Sequence, residues 1–242
     1  MMKINRFLKI IFAENIFNMN LQEAIIARHS VRNYLEKPIE PEKVVILKEA
    51  IGRINAESGL NVQLVLEEPK SFSAGILKYG SFSGVRNYLV MAGRKGEDVS
   101  ETVGYYGEEL VLLAQTLGLN TCWVGLTYKK IPGTYVLKPG EKIHCVISLG
   151  YGINGGIQHP LRPRERFYEA EVPVPDWFLA GIDAVVLAPT AVNQQRVKFI
   201  LHPNNVVEAK GLRSLIGYVR MDLGIAKYHF EVGAAPAAFT WK

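Results

Sequence analysis

Arg28-His29-Ser30-Val31-Arg32-Asn33-Tyr34 returns in outline 134 residues later as Arg162-Pro163-Arg164-Glu165-Arg166-Phe167-Tyr168. At the same offset Pro41 falls on Pro175, and with one residue of slip Leu64-Val65-Leu66 lies over Phe199-Ile200-Leu201. An offset of 120 aligns two further stretches: Gly104 meets Gly224, Leu112 meets Val232 and Ala114 meets Ala234. The order arginine segment, helix, strand, central helix therefore occurs twice, over about 21–152 and about 160–242, and the second copy lacks a stretch before its central helix. Arg, Pro and apolar residues are common, so chance matching is the alternative. The ordering along the chain is the better argument for a repeat. Two copies in one chain suggest a fused dimer, because a two-fold interface uses the same patch on both partners.

The local patterns outside the repeat supply the elements. Leu21 to His29 carries a short helical pattern, and Pro38 and Pro41 break it. Pro41 suits the first turn of a second helix running to about Ile54. Asn61 to Leu66 and Tyr88 to Ala92 read as strands, with a Gly/Ser/Phe-rich loop over 70–84 between them. Thr102 to Leu117 is a long helix, apolar nearly all round from Leu110 to Ala114 and so expected to be central and buried, with Gly118 ending it. Lys142 to Leu149 is a core strand, and 152–163 is Gly/Pro-rich loop. A helix from about Asp176 to Leu187, a strand from Arg196 to Leu201 and a largely helical stretch over 212–234 complete the pass.

The bulk properties exclude several classes. The chain has 242 residues, 48% hydrophobic and 21% charged, with a formal net charge of +5. That is globular composition, long enough for one large core or two small ones. The basic residues are scattered without an aromatic-interleaved stripe, so no nucleic-acid partner is expected, whereas an anionic cofactor suits the charge. Cys122 and Cys145 form no C-x-x-C pair, and the five histidines show no metal spacing, so neither a disulfide framework nor a metal site is expected and a reducing cytoplasm fits best. No apolar run is long enough to span a membrane. Residues 1–18 look unlike the rest and read as a tail or a mis-called start, with Met19 opening the candidate domain 19–242. No G-x-G-x-x-G follows a strand, so a Rossmann reading lacks its motif.

Three segments resemble one known family. Arg28-His29-Ser30-Val31-Arg32-Asn33-Tyr34 resembles the opening R-x-S-x-R-x-F/Y motif of the nitroreductases. Ala188-Pro189-Thr190-Ala191-Val192-Asn193-Gln194-Gln195 resembles their A-P-S-x-x-N-x-Q motif. Leu117-Gly118-Leu119-Asn120-Thr121-Cys122-Trp123-Val124-Gly125 resembles the segment after their central helix. The order departs from the usual one, since the A-P-T motif lies in the second repeat and the matching stretch Asn55 to Asn61 has lost the proline and threonine. In ordinary members one subunit gives the arginine motif and the other the A-P-S motif to a flavin at the dimer interface. The resemblance therefore implies an α+β, three-layer α/β/α nitroreductase-like fold, arranged as a single-chain pseudo-dimer with one retained FMN site, as in a small branch of the family with two tandem halves.

The resemblance implies a role for each motif residue. Arg28 and Arg32 would bind the FMN phosphate through guanidinium forks, with Ser30 adding a hydroxyl and His29 reaching the flavin or ribityl edge. The alternative is that both arginines are solvated or paired with Glu36 and Glu40. Pro189 would press on one flavin face while Thr190 and Asn193 donate to the ring or ribityl; the alternative is an ordinary helix-ending loop. Trp123, Val124 and Gly125 would lie beside the isoalloxazine, or Trp123 is a core aromatic. Arg164 is a candidate for a further phosphate contact, while Arg162 and Arg166 have no assigned role.

The expected activity is that of an FMN-dependent oxidoreductase. It passes hydride from NAD(P)H to a small electron-poor acceptor, nitro or quinone-like, by a ping-pong course. The flavin supplies the redox chemistry, so no catalytic side chain is named. The alternative is a flavin-binding sensor or store without turnover, and a third reading is an α/β protein without flavin. A fused dimer is expected to be a monomer in solution, its Leu110, Leu112, Phe230 and Val232 buried without a partner chain.

Overall fold

The computed structural model describes residues 19–73 and 81–242. The readings of residues 1–18 as a tail or mis-called start, and of 74–80 as part of a loop, lie outside the described residues.

Helix α1, Leu21–Ala27, is short and depends on its cap. The Asn20 side chain accepts from the Glu23 N–H at 2.9 Å, and the Glu23 carboxylate accepts from the Asn20 N–H at 2.7 Å. That reciprocal pair satisfies two of the orphan donors of the first turn. The helix stops at Arg28, whose backbone turns extended at φ −72°, ψ 120°. Helix α2, Pro41–Ser58, opens on proline and ends at Gly59 in the left-handed region. Its buried positions, Leu47, Ala50, Ile51 and Ile54, keep the spacing of one helix face.

Four strands form the first sheet: β1 Asn61–Val65, β2 Asn87–Arg94, β3 Asn120–Val124 and β4 Glu141–Gly150, in the order β1-β2-β4-β3 and antiparallel throughout. Every residue of β2 from Asn87 to Gly93 is buried, because the sheet is covered on both faces. One face packs on α2 and on α3, Glu97–Thr116; the other carries Val31, Tyr34, Phe72 and Val85. The second sheet holds β5 Tyr168–Ala170, β6 Val197–His202, β7 Val206–Gly211 and β8 Thr240–Trp241 in that order. β6 alternates Val197, Phe199 and Leu201 inward against α4, Asp176–Val186, and α5, Val219–Ala234.

Several elements differ from the sequence reading. Residues 206–211 form β7, and the expected helix over 212–234 is confined to 219–234, since 212–218 are the connection between the two. The signal was Asn204-Asn205, both at positive φ (62° and 56°), the backbone that a tight hairpin turn requires and that Asn tolerates. β3 and β8 are strands of five and two residues, set by pairing to neighbours rather than by their own pattern. Helix α3 starts at Glu97, ahead of the expected start at Thr102. The described elements form a mixed α+β fold.

The two central helices α3 and α5 cross at glycines. A Cβ placed on Gly104 would lie 2.0 Å from the Met221 carbonyl oxygen, and one on Gly224 would lie 1.9 Å from the Glu101 carbonyl oxygen. The two contacts are the same contact at an offset of 120 residues: 104 meets 221, and 224 meets 101. Around the crossing Leu110, Leu112 and Phe230 are fully buried. Val232 departs from the expectation: it is half-buried, at the edge of the cluster made by α1 with the central helices, because it lies near the end of α5. The indole N–H of Trp123 in β3 donates to Glu108 of α3 at 2.9 Å, and that of Trp241 in β8 donates to Glu231 of α5 at 2.7 Å. In each case the strand following a central helix is tied back to it in the same way.

Gly104→Ala and Gly224→Ala are each expected to destabilise the fold by about 1–3 kcal/mol, because backbone blocks the added methyl and the helices must part. Gly52→Ala in α2, which meets nothing within 4 Å, is expected to stabilise by about 0.5–1 kcal/mol. Urea unfolding of the three variants checks the contrast in sign.

Candidate functional site

The arginine segment leaves α1 as extended chain and is pinned on both sides. Val31 N–H donates to the Thr121 carbonyl of β3 at 3.0 Å, and Tyr34 N–H to Ser83 at 2.9 Å. The Tyr34 hydroxyl donates to the Val31 carbonyl at 2.8 Å and meets Ser148 Oγ at 2.8 Å. These bonds set which side chains turn in. Arg28 is only 3% exposed, His29 and Ser30 are half-buried, and Arg32 is exposed. The Cys122 thiol lies against this segment: burial raises its pKa, opposed by Arg32, by a hydrogen bond from Ser30 and by Arg28. Neither Glu36 nor Glu40 pairs with the two arginines. Glu36 faces Arg86 at 3.4 Å, and Glu40 faces Lys37 at 2.7 Å.

Arg28 reaches instead into a buried network on the central helices. Its Nε lies 3.8 Å from Glu108 Oε1, with Glu108 fully buried. Glu108 Oε1 also faces His229 Nε2 of α5 at 2.9 Å, and His229 Nδ1 faces the Ala184 carbonyl of α4 at 2.9 Å. Trp123 Nε1 takes the other carboxylate oxygen, so Trp123 is a half-buried aromatic with a fixed ring rather than free core filling. Burial lowers the Arg28 pKa and Glu108 opposes that fall. Even so, Arg28 Nε has no hydrogen-bond partner. A buried guanidinium with an unmade bond is costly, and it is the feature that a bound anion would satisfy.

The second segment is strained. Val192, Asn193 and Gln195 hold φ of 47°, 55° and 48°. For β-branched Val192 that conformation is an outlier of the kind that clusters at ligand sites. Thr190 Oγ1 accepts the Gln195 N–H at 3.0 Å, and Asn193 and Gln195 side-chain amides both donate to the Pro160 carbonyl, at 3.1 and 2.8 Å. Asp222 in the first turn of α5 accepts from the Ala191 N–H at 2.9 Å and from Gln194 at 2.6 Å, and Gln194 also donates to the Gly217 carbonyl at 2.9 Å. Gln195 Oε1 is left without a partner. It and Arg28 Nε are the two such buried side-chain atoms among the described residues, one in each segment.

The loop over 152–163 touches both segments. A Cβ on Gly156 would lie 2.8 Å from His29 Cβ and 3.2 Å from the Ser30 carbonyl oxygen, so this glycine, at φ 78°, lets the loop close on the arginine segment. His159 faces the Val186 carbonyl at 3.2 Å, and Pro160 takes the Asn193 and Gln195 amides. Gly125, just past Val124 at the end of β3, lies under Tyr218, whose hydroxyl is 2.6 Å from a Cβ placed there. Arg164 turns elsewhere. It is exposed and pairs with Asp183 of α4 at 3.2 Å and Glu165 at 3.6 Å, so its charge is already matched.

The family described as "Putative TM nitroreductase" matches residues 20–234. The chain belongs to this nitroreductase family. Among solved structures, a putative nitroreductase from Thermotoga maritima is similar at 22% identity and a TM-score of 0.62, covering 96% of this chain and 88% of its own. The hypothetical oxidoreductase YcnD from Bacillus subtilis is similar at 16% identity and a TM-score of 0.50, covering 65% and 76%. A nitroreductase with bound FMN from Bacteroides fragilis is similar at 19% identity and a TM-score of 0.45, covering 60% and 95%. No curated protein matches the chain. Among the described residues no helix is long and apolar enough to cross a membrane.

Sequence reasoning missed Glu108, His229, Asp222 and Tyr218. The i,i+3/i+4 faces of the central helices mark Glu108 and Asp222 as acids at core-facing positions, a pattern that needs partners when buried. That signal was present; which partners they find depends on the crossing of α3 and α5.

Asp222 carries a pH dependence. Burial raises its pKa from 3.8 to about 6, against the opposing bonds from Ala191 and Gln194. The native state therefore holds this proton more tightly than the unfolded chain does. The associated stability is complete below about pH 4 and lost as pH rises through about 6, by up to about 3 kcal/mol. Asp222→Asn removes this dependence, so the difference in unfolding free energy between the two proteins should change between pH 4.5 and 7. A constant difference would place the titration elsewhere.

Proposed function

We propose that the chain is an FMN-dependent oxidoreductase that passes hydride from NAD(P)H to a small electron-poor acceptor. The observation that carries this reading is the pair of orphaned buried atoms, Arg28 Nε and Gln195 Oε1, one in each family motif. FMN offers an anionic phosphate to the first and hydroxyl or ring N–H donors to the second. The residues present therefore fit the group. Arg28, Ser30 and Arg32 would hold the phosphate, with His29 at the flavin or ribityl edge. Pro189, Thr190 and Asn193 would hold the ring and ribityl from the other half, and Trp123, Val124 and Gly125 would lie beside the isoalloxazine. Bound FMN supplies the hydride chemistry. Arg164 joins this set only by giving up Asp183.

The protein's own part is orientation and charge. Glu108 fixes Arg28 and Trp123 at once, and His229 fixes Glu108. Asp222 holds the turn of the A-P-T segment through Ala191 and Gln194. The turn's left-handed residues are thereby kept ready for a ligand rather than relaxing. The two free, buried cysteines suit a reducing cytoplasm.

The same reading makes the chain a fused dimer of two repeats, about 21–152 and 160–242, in a three-layer α/β/α arrangement. Its support is the paired glycine contact of α3 and α5 at an offset of 120 residues, which is the relation expected of an isologous interface. The purified chain should be yellow, with about one FMN released per chain. It should sediment as a monomer at micromolar concentration with its flavin retained. A stable dimer that loses flavin on dilution would refute the fused-dimer reading.

Arg32→Ala should weaken FMN binding by about 1.5–3 kcal/mol, the range for hydrogen bonds to charged groups. Riboflavin, which lacks the phosphate, should bind the variant and the parent alike. Arg28→Ala should weaken FMN at least as much, and it also removes the Arg28 contact to Glu108. Equal losses for riboflavin and FMN in Arg32→Ala, read by fluorescence titration, would assign the arginine to the fold.

A further inference from the structure

A cleft of about 870 Å³ opens between the start of β4 and the end of β7. Among the described residues four cationic side chains line it, and no carboxylate does. Lys142 comes from the first sheet, Lys210 from the second, Arg213 from the connection after β7, and Arg220 from the first turn of α5. Lys210 faces Glu208 at 3.0 Å and Arg220 faces Glu101 at 3.5 Å, both outside the lining. Lys142 and Arg213 face no acid within ion-pair distance among the described residues. His144, with its Nε2 on the Arg94 carbonyl at 3.0 Å, lines the same wall as Lys142.

The cleft shares residues with the candidate flavin site. Tyr218 lines it and lies over Gly125. Ser214 lines it and donates to Gln194 of the A-P-T segment at 2.5 Å. The first-turn amides of α5, on Val219, Arg220 and Met221, have no side-chain cap and border it.

We infer that this cleft takes the phosphorylated adenosine end of the reduced dinucleotide and makes the protein prefer NADPH over NADH. The inference rests on the flavin reading above. Its ground is charge placement. Cations on two separate sheets suit a ligand with two separated phosphate groups, the pyrophosphate and the 2′-phosphate, whereas NADH carries only the first. A site that selects the free 2′-hydroxyl presents an Asp or Glu to it, and a site that accepts the 2′-phosphate presents an arginine. Here the acid is absent from the described lining, and Arg213 has no acid partner among the described residues. Tyr218 offers a ring wall between this end and the flavin, so one dinucleotide spans both.

The test is binding of 2′,5′-ADP and of 5′-AMP to the purified full chain by calorimetry. The parent should bind 2′,5′-ADP at least ten times more tightly. The double variant Lys142→Ala/Arg213→Ala should lose most of that difference, and its ratio of kcat/KM for NADPH over NADH should fall by about the same factor. Equal affinity for the two nucleotides in the parent, or an undiminished difference in the variant, overturns the inference. A colourless protein that still discriminates the nucleotides would refute the flavin reading and keep the cleft. A yellow protein that does not discriminate would do the reverse.

Discussion

The backbone contact of α3 with α5 at Gly104 and Gly224 is the constraint from which the site follows. Two helices approach this closely only where neither carries a side chain. The approach brings Glu108 of one helix to His229 of the other, 2.9 Å apart and both fully buried. A carboxylate in that position would be prohibitively costly alone. It is met by His229, by the Trp123 indole and by Arg28, so the helix crossing, the strand after α3 and the end of α1 are locked into one arrangement. Moving any one of these would leave a buried charge unmatched.

Around that network two bonds are left open among the described residues. Arg28 has its charge balanced by Glu108 yet keeps an unfilled bond at Nε, and Gln195 keeps an unfilled acceptor. Buried polar groups in native proteins are nearly always partnered, and these two exceptions fall one in each motif. The strain at Val192 and its neighbours lies in the second of them. It is held by Asp222 and by the Pro160 carbonyl, and packing alone gives no reason for it. The cleft beyond Tyr218 is basic among its described lining residues, with Lys210 facing Glu208 and Arg220 facing Glu101.

Much of this was legible in the residues. The arginine motif, the A-P-T segment and the glycine pair 104 and 224 were visible as motif and repeat, and the helix starts at Leu21 and Pro41 were set locally, by the Asn20/Glu23 capping box and by the first-turn proline. What local pattern missed were β5 and β7, which flank β6, the latter across the Asn204-Asn205 hairpin, and β3 and β8, whose ladders pair with distant residues. Thr121 pairs with Leu149 and Trp241 with Val207, and only those partners make so short a segment a strand. The fate of each charged side chain was likewise not local. Sequence neighbours offered Glu36 and Glu40 to the arginines, but the fold gave those acids to Arg86 and Lys37 and gave Arg28 to Glu108. The amino-acid order alone determined the motifs, the caps and the two-fold echo in the chain, because these depend on spacing. The tertiary structure decided which charges are buried together and which bonds are left open, because a buried ion selects its partner by distance in space, and that distance was set by two glycines meeting across the helices.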